Sequence, residues 1–264
     1  MSPVAPPVER SGRGVRIALI DSGVDTLHPV FAGADLTHVR IVQKGALFAL
    51  EPGEPVDSSG HGTACAGIIR GLVPEAALVS VCAFGPDGRC SREGLVAALR
   101  WCVAQRFGVV NLSLGVDVPK GAPLRPNDFK SIVDLYEMSD AAYTAQVVLV
   151  ASGPNVASFR TYPGRAKSLI GVGRASFSDP ERIGTELTAD YELVAPGTDV
   201  SAPAVGGGER RWTGTSFAVP HVAAHVARIR AARPALSVEA VKGALHQLAA
   251  AQAAAAEAQS HATA

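Results

Sequence analysis

Short apolar runs rich in β-branched residues alternate with helix-like segments along most of this chain. The runs lie at residues 15–20, 77–84, 109–114, 146–152 and 168–173. The segments 91–108 and 127–145 lie between them and carry apolar residues at helical spacing, the first after Ser91 as a helix N-cap. This alternation is typical of right-handed β-α-β crossovers. We therefore predict an α/β fold of three layers, with a mostly parallel central sheet flanked by helices.

Charge and hydropathy exclude several classes of partner. The 264 residues contain 24 Lys and Arg against 24 Asp and Glu, so no overall basic field attracts nucleic acid or an anionic membrane. The N-terminus lacks the apolar run of a signal peptide, and no stretch reaches about 18 uncharged apolar residues. We expect a cytoplasmic protein that binds neither nucleic acid nor membrane.

The four cysteines, Cys65, Cys82, Cys90 and Cys102, show neither CxxC pairing nor the Cys and His spacing of a zinc site. This pattern predicts reduced, structural thiols and no metal. The two ends of the chain are compositionally biased. We predict a flexible N-terminal segment (1–13), one folded domain (14–249) and an Ala-rich tail (250–264) that either extends the last helix or stays frayed.

Three residues combine into a candidate constellation for acyl transfer. Asp21 ends the first apolar run, His61 opens the segment HGTACAG, and Ser216 stands in GTSFAVPHVA before an apolar helix. Taken singly, each has an ordinary reading as a turn cap, a surface histidine or a helix cap. Together they supply a hydroxyl, a base to activate it and a carboxylate to orient the base.

The blocks around these residues resemble the subtilisin-like serine proteases. The chain order Asp, His, Ser is that of this family, and the matching blocks are DSGVD, HGTACAG and GTSFAVPHVA. Three further blocks also match, VVNLSLG, YPGRAKSLIGVG and ELVAPGTDVSA, so the resemblance covers about residues 14–249. It implies a subtilisin-like fold and a serine endopeptidase that needs no cofactor.

The resemblance also assigns roles to individual residues. Ser216 would be the nucleophile, His61 the general base and then acid, and Asp21 the orienting carboxylate. Asn155 would donate to the oxyanion together with the backbone N–H of Ser216, although Pro154 is inserted before it and restricts the loop. Asn111 belongs to a strand block and is the weaker candidate.

Two other departures from the family pattern concern metals and thiols. The connection after the His block, RGLVPEA, is too short and too poor in oxygen ligands for the tight calcium site of some family members. Cys65 follows His61 by one helical turn, and we predict a buried packing residue with a raised pKa rather than a nucleophile.

In this family the substrate adds as an extended strand between two groove edges. By resemblance, one edge is formed by Gly88, Arg89 and Cys90 and the other by Ser113, Leu114 and Gly115. Ala151, Ser152 and Gly153 would wall the S1 pocket, which receives the side chain before the scissile bond. These small walls predict an open pocket.

These observations suggest a restricted role. We expect a peptide or protein substrate, and we hypothesise that the enzyme processes a specific precursor peptide, because an indiscriminate protease would be harmful inside a cell. The alternative is a catalytically silent peptide-binding module or a partner protein of a biosynthetic complex, if Pro154 disrupts the oxyanion site. An esterase is a third reading, but the nucleophile elbow GxSxG is missing.

Overall fold

The computed structural model describes residues 10–45, 47–54, 56–85 and 89–262. Residues 1–9 of the predicted N-terminal segment and Gly88 of the predicted groove edge lie outside this part of the chain. The helices are α1 (His61–Leu72), α2 (Arg92–Ala104), α3 (Pro126–Thr144), α4 (Thr215–Ala232) and α5 (Val238–Ala262). Helix α5 therefore continues through most of the Ala-rich segment.

The strands are, in chain order, β1 (Arg16–Asp21), β2 (Leu36–Lys44), β3 (Leu47–Pro52), β4 (Ala77–Cys82), β5 (Val109–Leu112), β6 (Val116–Pro119), β7 (Val148–Ser152), β8 (Phe159–Tyr162), β9 (Ile170–Ala175), β10 (Gly184–Thr185), β11 (Leu193–Pro196), β12 (Val200–Pro203) and β13 (Glu209–Trp212). The five apolar runs of the sequence correspond to β1, β4, β5, β7 and β9. The prediction of these strands is confirmed.

Within the described residues, nine strands form one sheet in the order β10-β11-β9-β7-β5-β1-β4-β2-β3. All neighbours from β11 to β2 run parallel, and only the edge strands β10 and β3 pair antiparallel. Two smaller ribbons, β6 with β8 and β12 with β13, stand apart from the sheet. The predicted α/β fold is confirmed.

Both faces of the sheet are buried, as the continuous apolar runs require. On one face, Ile17 and Leu19 of β1 pack with residues of α1, α4 and α5. On the other, Ala18 and Ile20 pack with residues of α2 and α3. Helix α4 is buried along most of its length. It carries Ser216 in its first turn, so packing around the whole helix fixes that residue.

A close backbone approach joins the first turn of α1 to the loop after β1. A Cβ atom on Gly62 would lie 2.0 Å from the carbonyl oxygen of Gly23 and 3.2 Å from Cβ of Asp21. No larger side chain fits here without movement of the backbone. By contrast, a Cβ atom on Gly71, in the last turn of the same helix, meets no atom within 4 Å.

We predict that Gly62→Ala lowers the free energy of unfolding by at least about 2 kcal/mol, because the added methyl group overpacks a backbone contact. The matched substitution Gly71→Ala should raise it by about 0.5–1 kcal/mol, since alanine loses less chain entropy in a helix. Urea unfolding of both variants measures the two effects. Equal stability of the two variants would contradict the close approach at Gly62.

Candidate active site

Asp21 stands at the carboxyl end of the central strand β1, which lies between β4 and β5. In parallel sheets, sites form at this edge because the strands end there together and their connections diverge. The carboxyl group is 1% exposed, and Oδ1 accepts hydrogen bonds from the backbone N–H and the hydroxyl of Ser22. The run of apolar residues therefore ends in a buried carboxylate.

His61 is the first residue of α1, and its position depends on the turn before it. Gly60, the N-cap residue, has φ of 80°, a left-handed conformation that glycine adopts without strain. The turn is held by Asp57, whose side chain is buried. Its two carboxylate oxygens accept five hydrogen bonds, from the hydroxyls of Ser22 and Thr63 and the backbone N–H groups of Ser59, Gly60 and Thr63.

Sequence reasoning missed Asp57. It lies four residues before His61, but one of its partners, Ser22, is 35 residues away in the chain. The Ser22 hydroxyl lies 2.7 Å from Oδ1 of Asp57 and 3.2 Å from Oδ1 of Asp21, so it links the two carboxylates. The aspartate just before a Gly-His pair was the one available signal, because aspartate commonly caps a turn.

The structure brings Asp21 and His61 together. Oδ1 of Asp21 lies 2.7 Å from Nδ1 of His61, so the ring donates from Nδ1 and keeps Nε2 as its acceptor. The ring is also packed against Phe217, with 5.0 Å between centroids, and Phe217 packs in turn against Trp212. Trp212 is buried in the core. The aromatic contact that orients the imidazole was not predicted.

Burial and charge act in opposite directions on the pKa of His61. Burial on its own lowers the pKa of the ring, while the carboxylate of Asp21 raises it through its charge and its hydrogen bond; Cys65 would add to this rise only as a thiolate. The net result is a pKa above the usual 6.5, because Asp21 stabilises the imidazolium through both its charge and its hydrogen bond.

Ser216 is the second residue of α4 and lies against the loop after β5. Its hydroxyl donates to the carbonyl oxygen of Ser113 at 3.0 Å, and the Ser113 hydroxyl donates to the carbonyl oxygen of Ser216 at 2.9 Å. In the described part of the chain, no hydrogen bond joins the Ser216 hydroxyl to His61. In this conformation the hydroxyl therefore points to the strand loop rather than to the imidazole.

Asn155 lies at the start of α4 despite the inserted proline. Its Oδ1 accepts from the backbone N–H of Thr215 at 2.8 Å and lies 3.3 Å from the Thr215 hydroxyl oxygen. The side chain thus caps the helix one residue before Ser216. Asn111 is fully buried in β5, and its amide donates to the Ser113 hydroxyl.

Cys65 lies beneath this group of residues and is fully buried, as predicted. Its sulfur is 4.0 Å from Nδ1 of His61, 3.8 Å from the Ser113 hydroxyl and 3.6 Å from the carbonyl oxygen of Ser216. Burial raises the pKa of the thiol, so it stays protonated at neutral pH. The prediction of a packing thiol is confirmed.

Potential metal ligands cluster only here in the described residues. Asp21, His61 and Cys65 place their donor atoms within 4.8 Å of one another. The first two already bond to each other, and the third is a protonated thiol, so the donor set suits proton transfer better than a divalent cation.

Two further histidines on α4, His221 and His225, bind the backbone carbonyls of Pro180 and Glu181. Both are buried and pack helix α4 against these carbonyl groups.

Two of the predicted groove segments, 113–115 and 151–153, adjoin the start of α4. Ser113, Leu114 and Gly115 follow β5, while Ala151 and Ser152 end the neighbouring strand β7 and Gly153 follows it. The Thr215 hydroxyl donates to the carbonyl oxygen of Gly153, so the start of α4 contacts both segments. Cys90 is half-buried, and the carbonyl oxygen of Arg89 accepts from Gly85. Their binding roles remain predictions.

Comparison with known proteins agrees with this geometry. The subtilase family model matches residues 12–262. The chain belongs to the subtilase family. Subtilisin BL of Lederbergia lenta is 31% identical over 238 residues, which cover 86% of this chain and 80% of that protein. Members of the family are serine endopeptidases, and this subtilase is one.

Solved structures show the same fold. Sphericase aligns with a TM-score of 0.71 at 23% identity, over 90% of this subtilase and 83% of that chain. The prenylagaramide maturation protease PagA aligns with a TM-score of 0.62 at 24% identity, over 86% and 77%. At these identities the likeness concerns architecture alone. Among the described residues, no helix is both long and apolar enough to cross a bilayer.

We predict that His61 titrates with a midpoint above 6.5 in an NMR titration of its ring protons. The imidazolium that Asp21 stabilises must then persist to higher pH than in a free histidine. In Asp21→Asn the midpoint should fall, since burial then acts with less opposition. His38, whose pKa burial lowers, is the internal control and should stay below 6.5 in both proteins. An unchanged His61 midpoint in Asp21→Asn would contradict the assignment.

Proposed function

We propose that Ser216, His61 and Asp21 form the catalytic triad of this serine endopeptidase. The observation that carries the proposal is the 2.7 Å bond between Asp21 and His61, which leaves Nε2 of the ring as a base. Asp21 fixes the tautomer and stabilises the imidazolium, while His61 takes the hydroxyl proton and returns it to the leaving amine. The Ser216 hydroxyl must first rotate away from the Ser113 carbonyl oxygen, and substrate binding supplies that change.

The oxyanion of the tetrahedral intermediate is held at the start of α4. In the described residues, the backbone N–H of Ser216 has no acceptor, as expected for a donor in the first turn of a helix. The backbone N–H of Thr215 holds Oδ1 of Asn155. The other branch of the same amide, Nδ2, is then left as the donor to the oxyanion. These two donors and the positive end of the helix supply the charge stabilisation that acyl transfer needs.

We further propose that the physiological substrate is a specific precursor peptide. Support comes from architecture, since one solved protein with this fold is named as a maturation protease. The extended substrate then lies between the segments at 89–90 and 113–115, where backbone hydrogen bonds hold it and the side pockets select residues. A cytoplasmic location, which the sequence predicts, would require such selectivity.

We predict that a fluorophosphonate adds once to the wild-type protein and not to Ser216→Ala, as read by intact-mass spectrometry. Ser178→Ala removes an exposed hydroxyl elsewhere on the surface and should label like the wild type. A folded wild-type protein without an adduct would favour the silent binding module. A labelled protein that hydrolyses casein broadly and spares a precursor peptide encoded beside its gene would contradict the processing role.

We predict that Asn155→Ala lowers kcat by about 10²–10³ with little change in KM, the loss found for a side-chain oxyanion donor in subtilisin. The control Asn127→Ala, on the exposed first turn of α3, should leave kcat unchanged. Because Asn155 also caps α4, thermal unfolding of both variants is measured in parallel. A variant that unfolds at the wild-type temperature with full kcat would exclude Asn155 as an oxyanion donor.

A further inference from the structure

Two chain segments leave the sheet side by side next to Ser216. Leu112 of β5 pairs with Ala151 of β7 in parallel register, so residues 113–115 and Gly153 depart from the same edge. Ser216 donates to the carbonyl oxygen of Ser113, while the Thr215 hydroxyl donates to that of Gly153. The start of α4 thus contacts both segments, and the cleft between them begins at Ser216.

A two-stranded ribbon follows these two segments in the chain. The first segment continues directly into β6, and β8 follows the second after a short loop. The two strands pair antiparallel, with Asp117 opposite Thr161. A Cβ atom on Gly115 would lie 2.5 Å from the carbonyl oxygen of Tyr162 and 2.9 Å from Cγ2 of Thr161. The ribbon therefore lies directly against the wall formed by residues 113–115.

Strand alternation decides which side chains of the ribbon face that wall. Val118 and Tyr162 are buried in the core beside α3. Asp117 and Thr161 consequently lie on the opposite face, since successive side chains point to opposite sides of a strand. The Thr161 side chain is the one that lies against Gly115, so this face of the ribbon adjoins the wall formed by residues 113–115. The Thr161 hydroxyl donates to Oδ1 of Asp117 at 2.5 Å, which fixes the carboxylate there.

The charge of Asp117 is not balanced by the protein. Its side chain is exposed, and no Lys or Arg of the described residues forms an ion pair with it. Lys120 and Arg165, which stand close to the ribbon in the chain, both pair with Asp190, and Arg160 of β8 lies opposite Val118 on the other face of the ribbon. Oδ1 is occupied by Thr161, which leaves Oδ2 for a ligand.

We propose that Asp117 is the floor of the S1 pocket and that this subtilase cleaves after Lys or Arg. The inference rests on the proposed function, because it needs Ser216 to attack at the near end of the cleft. Four residues of extended chain, at about 3.3 Å each, separate Ser113 from Asp117, a span of about 13 Å. This contour length is the upper limit of the separation; a long basic side chain covers about half of it, and the small walls at Gly115, Ala151 and Gly153 leave room for its stem.

The test compares two internally quenched peptides that differ only before the scissile bond, with arginine in one and its neutral isostere citrulline in the other. We expect kcat/KM to be at least about tenfold higher for arginine, as differential recognition of a charge provides. In Asp117→Asn the ratio should fall to within about twofold. The matched control Asp140→Asn removes the same charge from the exposed face of α3 and should keep the wild-type ratio.

A second measurement separates this inference from the proposed function. The Ser216→Ala protein is titrated with both peptides by fluorescence anisotropy, so that recognition is read without turnover. Tighter binding of the arginine peptide that disappears in Ser216→Ala/Asp117→Asn supports the pocket floor even if catalysis is absent. Equal binding or equal kcat/KM of the two peptides, or an arginine preference that survives Asp117→Asn, overturns it. If the wild-type protein is not labelled by the fluorophosphonate, that result contradicts the proposed triad only. The binding of the two peptides then decides whether Asp117 recognises a basic side chain.

Discussion

The carboxylate of Asp57 fixes the geometry on which the site depends. It accepts hydrogen bonds from the turn before α1, from the first turn of that helix and from the loop after β1. A buried carboxylate is stable only when its lone pairs are occupied, so the five donors and the acceptor require one another. The distance between Asp21 and His61 follows from this arrangement, because the two residues belong to the elements that Asp57 joins.

The central sheet was predictable because its strands are buried on both faces, and such strands consist of continuous runs of apolar residues. The outer strands β2 and β3 follow no such pattern, since they are only partly buried. The ribbons β6–β8 and β12–β13 were missed for a related reason. They consist of strands of four residues, too short for a period to appear. The ribbon that bounds the proposed S1 pocket therefore became visible only once the chain was folded.

The residues of the candidate site also fall into two groups, those that the local sequence indicates and those that only the folded structure reveals. Asp21, His61 and Ser216 stand where a strand ends or a helix begins, positions that the local pattern marks. Asp57 and Phe217 act through contacts with residues distant in the chain, so the local pattern indicates only a turn cap for Asp57 and no role for Phe217. The sequence predicts that Pro154 restricts this loop, and in the structure Oδ1 of Asn155 still lies 2.8 Å from the backbone nitrogen of Thr215. A proline restricts its own φ and the residue before it, and the side chain after it still reaches the helix.

The thiol of Cys65 shows how the site joins its supporting elements. Its sulfur lies near groups from three of them, His61 on α1, Ser113 after β5 and Ser216 on α4. A sulfhydryl is small and only weakly polar, so it fills this buried space without the desolvation cost of a hydroxyl or a charge. A thiolate would face the Asp21 carboxylate in a buried space, and burial keeps the neutral form. The residue therefore packs beside the imidazole of His61 and joins the three elements that surround it.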